Sequence, residues 1–167
     1  IIADTAEKRK NLISDLSKQK SICFDTETTG VDAQSADLVG MSFSFKAHEA
    51  YYVPVPTVFE EAKKIVEEFK SVLESKSIDK IGQNLKYDMA VLRWYGVFVQ
   101  GKLFDTMIAH FLIQPDMRHN MDIIAETYLN YSPVSIETLI GKKGKNQGSM
   151  LDVPLEMLDV PVTLPPG

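Results

Sequence analysis

The run Ser21-Ile22-Cys23-Phe24-Asp25-Thr26-Glu27-Thr28-Thr29-Gly30 constrains the chain more than any other stretch. Its first half is apolar, with a β-branched residue and an aromatic, and Gly30 bounds it, which predicts a buried strand. Successive strand side chains point to opposite faces, so Asp25 and Glu27 share one face while Ile22, Phe24 and Thr26 line the other. Two carboxylates therefore stand side by side where a core strand runs out. If they are buried, a bound cation, a basic side chain or a shared proton must neutralise them. A solvated strand end, where an Asp-x-Glu pair needs no ligand, is the competing reading. We read the pair as a divalent-metal site.

Composition narrows the setting. The 167 residues, 44% hydrophobic and 25% charged, fit one domain with a sizeable core. A net charge of -5 excludes a protein that holds nucleic acid by bulk charge alone, although an acidic site acting on phosphates would need cations. Cys23 is the single cysteine, so no intrachain disulfide forms, a reducing compartment is expected, and the residue reads as a small buried hydrophobe. No apolar run approaches the ~20 residues of a membrane span, and no signal-peptide core precedes the first helix. A cytoplasmic protein without membrane partners is expected. The start at Ile1 and the close on Pro165-Pro166-Gly167 read as a fragment of a longer chain, with residues 1–167 forming one domain.

Around the first strand the pattern predicts an α/β order. Asp4 and Glu7 read as a capping box for a helix carrying Leu12, Ile13 and Leu16. Leu38 to Phe45, with Val39, Met41, Phe43 and Phe45 on one face, and Ala50 to Val55 read as a hairpin beside that strand. Thr57 and Glu60 form a second capping box, opening one helix from Phe59 to Leu73. Ile78 to Gly82 reads as a strand parallel to the first. The next helix begins near Asn84 and ends before Gly96, with Asn84 and Asp88 on one face beside the apolar stripe of Leu85, Met89 and Leu92. Asp88 therefore lies at the carboxyl end of a strand, where open α/β sheets place ligands. Asp105 reads as the N-cap of a further helix through Leu112, Met121 to Leu129 as another, and Gly141 to Gly148 as a basic loop exposed to proteolysis.

Two motifs stand together, Phe24-Asp25-Thr26-Glu27-Thr28 and Asn84-Leu85-Lys86-Tyr87-Asp88. They resemble the first and second motifs of the DnaQ-like 3′-to-5′ exonucleases, specifically the proofreading domain of bacterial family A DNA polymerases. Leu38-Val39-Gly40-Met41-Ser42-Phe43, Phe104-Asp105-Thr106-Met107, Arg118-His119-Asn120-Met121-Asp122 and Gly144-Lys145-Asn146-Gln147 resemble stretches of that family in the same order. The resemblance runs from the first helix to about Glu156. It implies a ribonuclease H-like α/β fold, a mixed sheet flanked by helices, and two Mg²⁺ or Mn²⁺ ions that hydrolyse the terminal phosphodiester of a single-stranded DNA 3′ end. It assigns Asp25 to both ions, Glu27 to one ion and the terminal 3′ hydroxyl, and Asp88 to the second ion. Thr26, Val31 and Asn84 match substrate-positioning residues, and the polymerase domain of the same parent chain is the implied partner.

The carboxyl end departs from the pattern. The family's third motif is Tyr-x-x-x-Asp, or in a sister branch a histidine five residues before the aspartate, and neither spacing occurs here. Counting on from Val153-Pro154-Leu155-Glu156, the two positions fall near Pro161 and Pro165, and Asp152 and Asp159 are the candidate stand-ins. The departure implies impaired hydrolysis. An inert ribonuclease H-like platform that binds strands without cutting, and a ribonuclease D-like RNA exonuclease, are the competing readings.

Overall fold

The computed structural model describes residues 1–141, 148 and 150–154. Its centre is β1 (Ser21–Thr28), which pairs antiparallel with β2 (Leu38–Lys46) and parallel with β4 (Asp79–Gly82). The hairpin partner β3 (Glu49–Pro54) and the short parallel strand β5 (Leu103–Asp105) form the edges, giving the order β3-β2-β1-β4-β5. Among the described residues the helices are α1 (Ala6–Leu16), α2 (Phe59–Glu68), α3 (Lys70–Leu73), α4 (Leu85–Trp94), α5 (Thr106–Ile113), α6 (Met121–Leu129) and α7 (Ile136–Ile140), with a 3₁₀ turn at Met150–Asp152. This is the mixed sheet flanked by helices that the sequence predicts.

Alternation along β1 is as expected. Ile22, Phe24 and Thr26 are buried, whereas Cys23, Asp25 and Glu27 are at least partly open on the opposite face. Cys23 is therefore exposed rather than a core residue, because its parity on the strand matches that of the carboxylates and not that of Phe24. Along β2 the expected single face breaks at one end. Glu27 faces Gly40 but Thr28 faces Leu38, leaving Val39 as the extra residue of a bulge. Leu38 then joins the main core with Met41 and Phe43, while Val39 packs with Met150 and Val153 in a smaller cluster.

Both proposed capping boxes shift by one residue. Thr5, not Asp4, caps α1 by accepting from the Lys8 amide, and Asp4 instead pairs with the Lys8 ammonium at 2.8 Å. Val58 precedes α2 without any side-chain cap. The expected helix from Phe59 to Leu73 also divides at Phe69. Phe69 is wholly buried and stacks on Phe43 of β2, with ring centroids 5.0 Å apart and 8° between planes. Phe69→Ala removes this anchor between helix and sheet and is expected to cost about 3–5 kcal/mol in urea unfolding. A loss below about 1 kcal/mol would show that the interface does not carry the core.

The carboxyl end of β1 lies beside that of β4, and α4 starts immediately beyond β4. Asp25, Glu27 and the first turn of α4 are thereby brought to one end of the sheet.

Candidate active site

Asp25 lies opposite Ser42 and Glu27 opposite Gly40. A Cβ at Gly40 would come within 2.1 Å of the Tyr52 hydroxyl oxygen, so the missing side chain makes room for the Tyr52 ring beside Glu27. Burial and the Glu27 charge push the Tyr52 phenol up to about 12. Glu27, Ser42, Tyr52 and Met150 help to line a small cavity of about 150 Å³ at this point.

Asp88 comes from the first turn of α4 and is 2% exposed. Beyond the last β1–β4 pair, Cys23 with Ile81, its Oδ1 accepts from the Thr26 amide at 2.8 Å and the Thr26 hydroxyl at 2.6 Å. Asn84 precedes the helix with a left-handed backbone, φ 60°, and its side chain makes no cap bond. The unsatisfied amides of that terminus are instead taken by Asp105. Its Oδ1 accepts from the Asn84 amide at 3.1 Å and its Oδ2 from the Leu85 amide at 2.8 Å. Asp105 also caps α5, as expected from sequence, through the Met107 and Ile108 amides. Tyr87 adds a further tie. Its hydroxyl donates to the Gly30 carbonyl and lies 2.6 Å from the Thr28 hydroxyl, anchoring the start of the 29–37 loop to α4. Val31 stands on that loop, 96% exposed.

The electrostatics are one-sided. Burial, then the Asp88 and Glu27 charges, push the Asp25 carboxyl up to about 7. Burial and Asp88 raise Glu27 as well. Burial, and more weakly the Asp105 charge, also raise Asp88, opposed by its two bonds from Thr26. Among the described residues no lysine or arginine forms an ion pair with any of the three. Of the three neutralising devices considered from sequence, the basic side chain finds no support here, leaving a cation or a proton. The donors are carboxylate oxygens, which suit a hard divalent ion. They are near enough to raise one another, yet among the described residues no three acidic, histidine or cysteine side chains gather into a ready-made metal cage. The third-motif positions Pro161 and Pro165, the stand-in Asp159 and residues 142–147 of the basic loop lie outside the described residues.

The sequence model of a family described as 3′-5′ exonuclease matches residues 1–157. The chain belongs to the 3′-5′ exonuclease domain family of family A DNA polymerases. DNA polymerase I of Borreliella burgdorferi is 38% identical over 135 residues, which cover 79% of this chain and 15% of that protein. The Pseudomonas aeruginosa DNA polymerase I is 35% identical, over 78% of this chain and 15% of its own length. This exonuclease domain thus spans about 15% of the curated relatives it matches. Among solved structures, Brucella melitensis NrnC with bound Mg²⁺ superposes with a TM-score of 0.61 at 25% identity, covering 72% of this chain and 59% of that one. Trypanosoma brucei RNase D, solved in complex with RNA, gives 0.74 at 18% identity over 95% and 56% of the two chains, which shows a shared fold.

What motif reading missed in this exonuclease domain are the supports of its acids. Tyr52 and Tyr87 gave no signal, because Glu27 and Gly30, which they serve, lie 25 and 57 residues away in sequence. Asp105 did give one, but only for its local cap. Among the described residues no helix is long and apolar enough to cross a membrane.

Proposed function

We propose that this chain removes nucleotides from the 3′ end of single-stranded DNA, using two Mg²⁺ or Mn²⁺ ions held by Asp25, Glu27 and Asp88. The observation that carries this reading is three acids at one end of the sheet with no lysine or arginine paired to them among the described residues, where burial, and then the Asp88 and Glu27 charges, push Asp25 up to about 7. Two bound cations would supply an acidified water as nucleophile and positive charge for the leaving oxygen. The chain's own residues supply placement. Thr26 holds one oxygen of Asp88 with two donors and leaves the other free to face a ligand. Asn84 keeps its side chain out of helix capping and available to the terminal nucleotide. Val31 offers an apolar contact to a base from a loop that Tyr87 restrains. The lack of a Tyr-x-x-x-Asp motif makes the reaction slow, since a positioned acid-base group is worth ~10²- to 10⁴-fold. The polymerase domain of a parent chain is the proposed partner, and the cytoplasm the proposed compartment.

A 5′-labelled single-stranded DNA tests the reading. With Mg²⁺ or Mn²⁺ it should shorten stepwise from its 3′ end, and chelation should stop it. Cleavage that persists in chelator would overturn the cation chemistry. Faster loss of an RNA of the same sequence would favour the ribonuclease D-like reading, and strand retention without cutting would favour an inert platform.

A further inference from the structure

Among the described residues, Asp105 is the one carboxylate that holds two helix starts at once. It ends β5, which pairs with β4 through Gly82 and Asp105, so its side chain stands over the turn from β4 into α4. Oδ1 accepts from the Asn84, Met107 and Ile108 amides, and Oδ2 from the Leu85 amide at 2.8 Å. The adjacent Thr106 hydroxyl reinforces the junction by donating to the Gly82 carbonyl at 3.1 Å and contacting the Gln83 side chain. Asn84 cannot cap α4 itself, because its left-handed backbone leaves its side chain without a cap bond. The first turn of α4, which carries Asp88, is therefore fixed from outside the helix.

We infer that Asp105 is a positioning residue for the cation-binding acids, acting through α4 to hold Asp88 against Thr26. This rests on the two-cation reading above. Groups that orient a ligand typically change metal affinity ~10- to 100-fold when removed. The Asp105 charge also bears on Asp88 directly, and both substitutions below remove it, so positioning is read from the difference between them and from the contact of Asp88 with Thr26. Serine is as good an N-cap as aspartate, but it is one atom shorter and carries a single oxygen. Asp105→Ser should keep α5 capped while releasing the Asn84 and Leu85 amides.

Mn²⁺ binding to the chain, followed by the electron paramagnetic resonance of free Mn²⁺, provides a readout independent of turnover. Asp105→Ser is expected to weaken Mn²⁺ at least ~10-fold, and Asp105→Asn, which keeps the shape and one acceptor oxygen, to weaken it less. Val72→Ala, a core change on α3 that touches none of these hydrogen bonds, should lower stability without altering Mn²⁺ affinity. In an Asp88→Asn background, Asp105→Ser should add no further loss, because the two act in series. The backbone amide resonance of Thr26, bonded to Asp88, should move in Asp105→Ser and stay in place in Val72→Ala. Unchanged Mn²⁺ affinity and an unmoved Thr26 resonance in Asp105→Ser would reduce Asp105 to a helix cap. Absence of any saturable Mn²⁺ binding that Asp25→Asn removes from the otherwise unmodified chain would instead bring down the two-cation reading, and the role of Asp105 with it.

Discussion

Asp25→Asn will lower cation-dependent removal of 3′ nucleotides by about 10²- to 10⁴-fold and will not unfold the chain. Asparagine keeps the shape of the side chain and its place opposite Ser42, but it removes the charge. A structural residue replaced this way would lose stability along with activity. Here the opposite pairing is expected, because Asp25 is raised by burial and by repulsion from Asp88 and Glu27. Removing one of three crowded charges relieves that repulsion. The variant should therefore be inactive and, at pH 8 without cations, melt higher than the unmodified chain. Loss of activity accompanied by a lower melting temperature would mean that Asp25 holds the fold rather than the chemistry.

The second large effect concerns pH. The Asp25 carboxyl titrates near 7 in the fold against an ordinary 3.8, so the folded chain binds this proton more tightly than the unfolded chain does. The resulting stabilisation is fully present below about pH 4 and is lost as pH rises through about 7. Glu27 and Asp88 are raised too and act in the same direction. Asp4 and Glu49 are lowered, so their effects fall at more acidic pH, while Lys80, lowered by burial to about 8, opposes the site only near the upper end of the interval from 5 to 8. Between those two pH values the cation-free chain should lose roughly 2–4 kcal/mol in urea unfolding. At pH 8, Mg²⁺ at about 100 times its dissociation constant should return ~2.7 kcal/mol by mass action, with little return at pH 5. Asp25→Asn should flatten both dependences. Stability that climbs from pH 5 to 8 without cations would contradict the electrostatic account of the site.

Much of this arrangement is legible in the sequence because it rests on short-range periodicity. The parity of Asp25 and Glu27 against Phe24 follows from strand geometry, and the face shared by Asn84 and Asp88 from helical spacing. The order of strands around β1 follows from the hairpin and from a helical crossover into a parallel strand. The failures are equally physical. Thr5 and Asp4 are both competent caps, and in the fold Thr5 takes the Lys8 amide while Asp4 takes the Lys8 ammonium. The bulge at Val39 arises where β2 meets the end of β1, and no pattern in β2 alone contains it. The break at Phe69 comes from its burial against Phe43, a contact between residues 26 apart in sequence. Asp105 shows the limit most clearly. Its cap to Met107 is a local signal, whereas its bonds to Asn84 and Leu85 exist only because β4 and β5 lie side by side.

The outward parity of Cys23 gives the molecule a built-in chemical handle. It is the chain's one thiol, it is exposed, and it lies two residues from Asp25 on the same face of β1. A nitroxide attached there without any engineered cysteine would sit beside the carboxylates, close enough for a paramagnetic ion among them to broaden its spectrum. An unmodified sequence can in this way report, by its own side chain, whether and at what concentration an ion arrives.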